Sequence, residues 1–208
     1  MKLVGHAHRY ADAIIESDTY LREKYYELVE VLQGISDEDL IRDFNAKKEI
    51  HRKRGTSFKS LTASINGLIR ERMEELPDWY REVDIFNDTE DIIGNTEWRL
   101  DFACEHGFAV EIAFNHGEAI AWNLLKPVLA SELNHVQKAI QTRLGIYVCA
   151  TNQMKKAGNI DRASGSFEKV IRYLTPMMNQ LTTPMMIIGI DAPDTFQVNH
   201  KTNEIVML

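Results

Sequence analysis

The chain predicts an α/β fold: a mixed central β-sheet flanked by helices, with an N-terminal helical region. Three observations carry this expectation. The segments on either side of Gly107 alternate apolar and polar side chains, as paired strands do. Two apolar runs, Gly145–Ala150 and Met185–Ile190, are separated by helical sequence, as in strand–helix–strand units. Residues 1–76 carry apolar side chains at helical spacing.

In chain order, Tyr10, Ala13, Ile14, Leu21, Tyr25, Leu28, Val29 and Leu32 predict a helix over His8–Leu32, stopped by Gly34. Ser36 followed by Asp37, Glu38 and Asp39 reads as an N-cap with first-turn acids, opening a helix to about Arg54. The densest basic cluster is His51–Ser57. It is either a solvated helix end or a phosphate contact through Arg52, Arg54, Thr56 and Ser57. A helix over Ser57–Leu76 follows, with Asn66 one residue from its apolar stripe. Residues 77–97 read as an acidic connector with a short strand at Val83–Phe86.

Strands over Trp98–Cys104 and Phe108–Phe114 form the predicted hairpin. With Phe102 opposite Ile112, Leu100, Phe102, Cys104, Val110, Ile112 and Phe114 share one apolar face. On the other face Asp101 meets Ala113 and Glu111 meets Ala103, so the two acids are diagonal neighbours able to share an ion. A one-residue slip would bury Asp101 on the apolar face, so an odd loop or a bulge is expected around His106–Gly107. The alternative is a surface hairpin with two solvated acids. Against it, the acids are flanked by alanine, and a half-buried acid beside another acid calls for a cation.

Gly117–Asn134 predicts a helix that is apolar nearly all round, hence buried, with a kink at Pro127. Thr151–Ser166 reads as a polar loop bearing Asn152, Lys155, Lys156, Arg162, Ser164 and Ser166, with Ser166 capping the next helix.

Composition sets outer bounds. With 208 residues and 44% hydrophobic content, the chain suits one domain with a substantial core. No run of about 18 apolar residues exists to span a membrane, and the N-terminus lacks a signal peptide's apolar segment. Two cysteines imply no disulfide framework and fit a reducing cytoplasm. A net charge of −7 confines any DNA-binding surface to a local patch.

The order hairpin with Asp…Glu, helix, strand, loop, helix, strand resembles the PD-(D/E)xK nuclease core. More narrowly, the chain resembles the BglII/BstYI group of type II restriction endonucleases. The residues behind this are Asp101-Phe102, Val110–Phe114, Ser166–Arg172 and the closing Pro184–Pro193. The resemblance implies one nuclease domain over residues 1–208 with a restriction-endonuclease-like core over 98–193. It also implies Mg²⁺-dependent cleavage of double-stranded DNA at a palindrome by a homodimer, leaving 5′-phosphate and 3′-hydroxyl ends. A GATC core is the site relatives read, and a cognate DNA methyltransferase is expected in the same system. Asp101, Glu111 and the backbone carbonyl of Ile112 would hold the ion. Asn115, His116 and the Thr151–Ser166 loop would read the DNA.

One departure stands out. The third position of the family motif holds Lys, or Glu or Gln in near relatives, and here it is Ala113. Three outcomes are open. Another residue fills the role, with Glu118, His116 and Asn66 as candidates. Or a metal-bound water suffices at a lower rate. Or the chain binds DNA without cutting it.

Overall fold

The computed structural model describes residues 1–87, 98–114, 117–132 and 137–208. A six-stranded mixed sheet, in the order β1-β6-β5-β4-β3-β2, organises the molecule. Its centre is parallel: β4 (Phe108–Ile112) beside β5 (Leu144–Ala150), and β5 beside β6 (Met185–Ile190). The other pairs are antiparallel: β1 (Leu3–His8) on β6, β3 (Arg99–Ala103) on β4, and β2 (Tyr80–Asp84) on β3. The mixed sheet flanked by helices is the predicted class.

Every residue of β5 and β6 is buried, yet strict alternation sends them to two different cores. Ile146, Val148, Met186 and Ile188 pack with the helices α1 (Ala11–Ser17), α2 (Thr19–Gly34), α3 (Asp37–Lys53) and α4 (Thr62–Met73). Tyr147, Cys149, Met185 and Ile187 pack with α5 (Ile120–Glu132) and α7 (Phe167–Leu174). Both cysteines, Cys104 and Cys149, are buried free thiols, and burial raises the pKa of each, Cys104 to about 11.

α5 lies close on the sheet because Gly145 lets it. A Cβ at Gly145 would stand 2.8 Å from the Pro127 Cβ and 2.8 Å from the Met185 Cγ. Gly145→Ala is therefore expected to lower unfolding free energy by about 1–3 kcal/mol in urea titrations.

Several elements differ from expectation. The helix predicted over His8–Leu32 is a strand, a short helix and a longer one. β1 is an edge strand with mixed polarity, LVGHAH, paired on one side to β6, so its sequence shows no apolar repeat. Arg9 and Tyr10, at φ 53° and 58°, turn the chain into α1. Extended Asp18 then separates α1 from α2 and caps α2, accepting from the Leu21 N–H at 3.2 Å. The box at Ser36 forms: Ser36 Oγ accepts from Asp39 N–H (3.1 Å), and the Asp39 carboxylate accepts from Ser36 N–H (3.2 Å). α4 starts at Thr62, later than expected. β2 lies a few residues before the predicted Val83–Phe86. The Thr151–Ser166 loop contains α6 (Asn152–Ala157), capped by Thr151. A last hairpin of β7 (Phe196–Val198) and β8 (Ile205–Met207) was not expected.

Candidate active site

The hairpin register is two residues from the predicted one: Phe102 pairs with Val110 and Ala103 with Ala109. A shift of two preserves which face each side chain takes. The pairing ends at Phe102 and Val110, and Asp101 and Glu111 stand one position beyond it, on neighbouring strands. The turn has the expected odd length. Glu105–Gly107 link Cys104 to Phe108, joined by Cys104 N–H to the Phe108 carbonyl at 3.0 Å, with His106 at φ 56°. Two adjacent side chains depart from the predicted faces: Asp101 lines a cleft with Phe102 and Ile112, and Leu100 turns the other way. Leu100 packs with Ala103, Ala109, Ile85 and Ile140 rather than with Phe102 and Val110. The alternation breaks beside Asp101, where Glu82, between the paired Arg81 and Val83, holds φ 51°.

Glu111 is 2% exposed, in the middle of the sheet. Its Oε2 accepts from Lys126 Nζ at 2.7 Å, and its Oε1 is buried with no hydrogen-bond partner. Lys126 is carried by α5 and also donates to the Arg99 carbonyl at 2.9 Å. Burial, and then the neighbouring Asp101 carboxylate, push the Glu111 pKa up to about 8 despite the ammonium beside it. Asp101 is also raised by burial, and the Ile112 N–H, donating to its Oδ2 at 2.7 Å, pulls the other way.

Asp101 opens into a small cleft of about 60 Å³ lined by Asn66, Arg70, Arg81, Glu82, Phe102 and Ile112. α4 brings Asn66 there, and its Oδ1 is a second buried oxygen without a partner. Arg81 is held by Glu74 and Glu82, and Arg70 stands 3.8 Å from Glu82. Two adjacent carboxyls in a raised-pKa environment and an orphaned acceptor are what a hard divalent cation requires, so these residues fit a metal. Among the described residues no group of three His, Cys, Asp or Glu side chains gathers, so the remaining ligands would be backbone oxygen and water.

Other predicted residues fall in different places. Glu118 is exposed in the short turn Gly117–Ala119 and does not line the cleft. Asn115 and His116 lie outside the described residues. Asn152, Lys155, Lys156 and Arg162 converge on one groove of about 580 Å³, joined by His200 from the last hairpin. Lys155 is turned inward, donating to the carbonyls of Arg162 (3.0 Å) and Ser164 (2.5 Å). Ser164 and Ser166 are buried rather than facing the groove. Ser166 Oγ caps α7 at Lys169 N–H, as the sequence predicts, which leaves little of it for DNA. Arg52, Arg54, Thr56 and Ser57 are exposed at the end of α3, where Arg52 pairs with Glu49 and Thr56 with His51. None of the four lines the Asp101 cleft.

Sequence reasoning missed Lys126, Arg70 and Arg81. The signal for Lys126 was present: a single lysine in a helix otherwise apolar on nearly every side. The arginines gave no such signal, since both read as solvated charges.

The sequence matches the restriction endonuclease BglII/BglIII family over residues 4–190. No curated protein matches it. The fold is similar to restriction endonuclease BglII in a crystal with a DNA 16-mer: TM-score 0.66 and 16% identity, over 99% of this chain and 89% of that one. It is also similar to free BglII, with TM-score 0.54 and 16% identity over 95% and 83% of the two chains. The match over nearly the whole chain makes this protein a member of the BglII/BglIII restriction endonuclease family, type II site-specific deoxyribonucleases.

Proposed function

We propose that the chain, acting as one nuclease domain over residues 1–208, hydrolyses double-stranded DNA at a short palindrome in the presence of Mg²⁺. The products carry 5′-phosphate and 3′-hydroxyl ends. The observation that carries this reading is the neighbouring carboxyls of part-buried Asp101 and buried Glu111, with Glu111 Oε1 lacking a hydrogen-bond partner. Asp101, Glu111 and the Ile112 carbonyl would hold the ion. When bound, it supplies Lewis-acid polarisation of the phosphate and a more acidic water. Asp101, fixed by the Ile112 N–H, presents its free oxygen to the cleft. Asn66 orients a ligand or water there, and Arg70 and Arg81 offset the charge of an incoming phosphate.

A homodimer suits a palindrome, because two-fold protein symmetry matches two-fold site symmetry. Each subunit would cut one strand, with base reading from the Asn152–Arg162 groove and from Asn115 and His116. A cytoplasmic setting and a partner DNA methyltransferase complete the reading. Phosphate contacts in the groove make binding salt-dependent. Replacing Lys156 and Arg162 together with alanine is expected to flatten the slope of log affinity against log salt by about two. Fluorescence anisotropy with a labelled duplex over a salt series checks this.

Plasmid incubated with Mg²⁺, followed by sequencing of fragment ends, tests the whole reading. Discrete fragments sharing one end sequence support it. Retardation of DNA without cleavage supports instead a non-cutting DNA-binding protein, the reading that Ala113 favours.

A further inference from the structure

We infer that Lys126 is the positioning cation of this site, delivered by α5 in place of the polar side chain that Ala113 cannot supply. This rests on the nuclease reading above. Ala113 continues β4 beyond Ile112, is 3% exposed, and packs among Ile120, Leu124 and Tyr147. Its methyl group neither donates nor accepts a hydrogen bond. Lys126 rises from the same helix that covers Ala113, and its side chain is 11% exposed.

An ammonium in a helix whose neighbours include Leu124, Pro127, Val128 and Ala130 is costly to desolvate unless paired. Its pairing is specific to the site. One N–H goes to Glu111 Oε2 on β4 and one to the Arg99 carbonyl on β3. The two bonds tie together the strands that carry Glu111 and Asp101. They also fix the Glu111 carboxyl so that Oε1 is the oxygen left over. An ammonium has three N–H donors, and the third has no partner among the described residues. A structural ion pair would need only Glu111, and the strand-bridging bond to Arg99 is what a positioning role adds. Close approach is secured by Pro127 against Gly145, so the lysine's reach is set by the fold rather than by a flexible loop.

The test uses the full chain and a duplex containing its cleavage site. Lys126→Met keeps the aliphatic stem and removes the charge. It is expected to lower kcat by about a hundredfold, with KM and metal-free DNA affinity within about threefold of the parent. Adding Ala113→Lys to that variant should restore at least about tenfold of the lost rate, a recovery that a packing role would not produce. Lys126→Arg, which keeps the charge, should fold where the Met variant fails to and should keep kcat within about tenfold. Three results would overturn the inference. One is cleavage by Lys126→Met within threefold of the parent. Another is a kcat for Lys126→Arg as low as that for Met. The third is a lost rate matched by lost metal-free DNA affinity and unrecovered by Ala113→Lys. A parent protein that binds DNA and never cuts it overturns the nuclease reading as well, and is told apart by that control alone.

Discussion

Glu111→Ala is expected to reduce DNA cleavage by about a thousandfold or more, while the metal-free protein binds duplex DNA within about threefold of its original affinity. Glu111 lies in the sheet interior, with 2% of its area exposed. Its loss therefore removes a carboxylate from the proposed ion site without removing a surface charge that could meet a phosphate. Supercoiled plasmid with Mg²⁺ in excess, followed over time on agarose, reads the first half. Gel retardation in EDTA reads the second. Cleavage by the variant at the parent rate would remove Glu111 from the site altogether.

Glu111→Gln should change stability in a pH-dependent way. In the folded protein burial and the neighbouring Asp101 push this carboxyl up to about 8, against an ordinary value of 4.5. An acid raised on folding favours the fold in its protonated form. Its contribution is complete below about pH 4.5, declines as pH rises, and is exhausted above about pH 8. Gln imitates the protonated form and does not titrate. Without metal, the parent should therefore lose about 1.4 kcal/mol per pH unit relative to the variant across that window. Urea unfolding at several pH values between 5 and 9 in EDTA measures the difference. Saturating Mg²⁺ should abolish it, because a bound cation removes the reason for the raised pKa. Parallel stability curves for the two proteins would show that burial and Asp101 do not outweigh Lys126 at Glu111.

Particular elements show what a single chain can and cannot reveal. The hairpin faces were legible because a period of two survives an even shift. The register moved by two, and Asp101 and Glu111 fall one position beyond the Phe102–Val110 pair. The central strands were legible because burial on both faces leaves an uninterrupted apolar run. β1 was not, since an edge strand buried on part of one face spells Gly, His and Ala with no repeat. α6 was hidden inside a polar segment, too short for periodicity to register. Within the candidate site, local pattern and resemblance single out Asp101, Glu111 and Asn66, and Asn66 and Asp101 line one cleft. Lys126 meets Glu111 across 15 positions of sequence, through the packing of a helix on a sheet. Pattern within one element carries no information about such a meeting. The helix-end cations at Arg52 and Arg54 show the converse, a conspicuous local signal that tertiary packing leaves apart from the Asp101 cleft.

The chain's two sulfhydryls are sealed in its interior and kept in their neutral, unreactive form. A maleimide dye offered to the folded protein would thus ignore them. One cysteine introduced at an exposed position such as Ser57 or Gln197 would take the label alone. Dyes placed this way could report the protein's binding to a duplex in real time, with no native cysteine removed to clear the background.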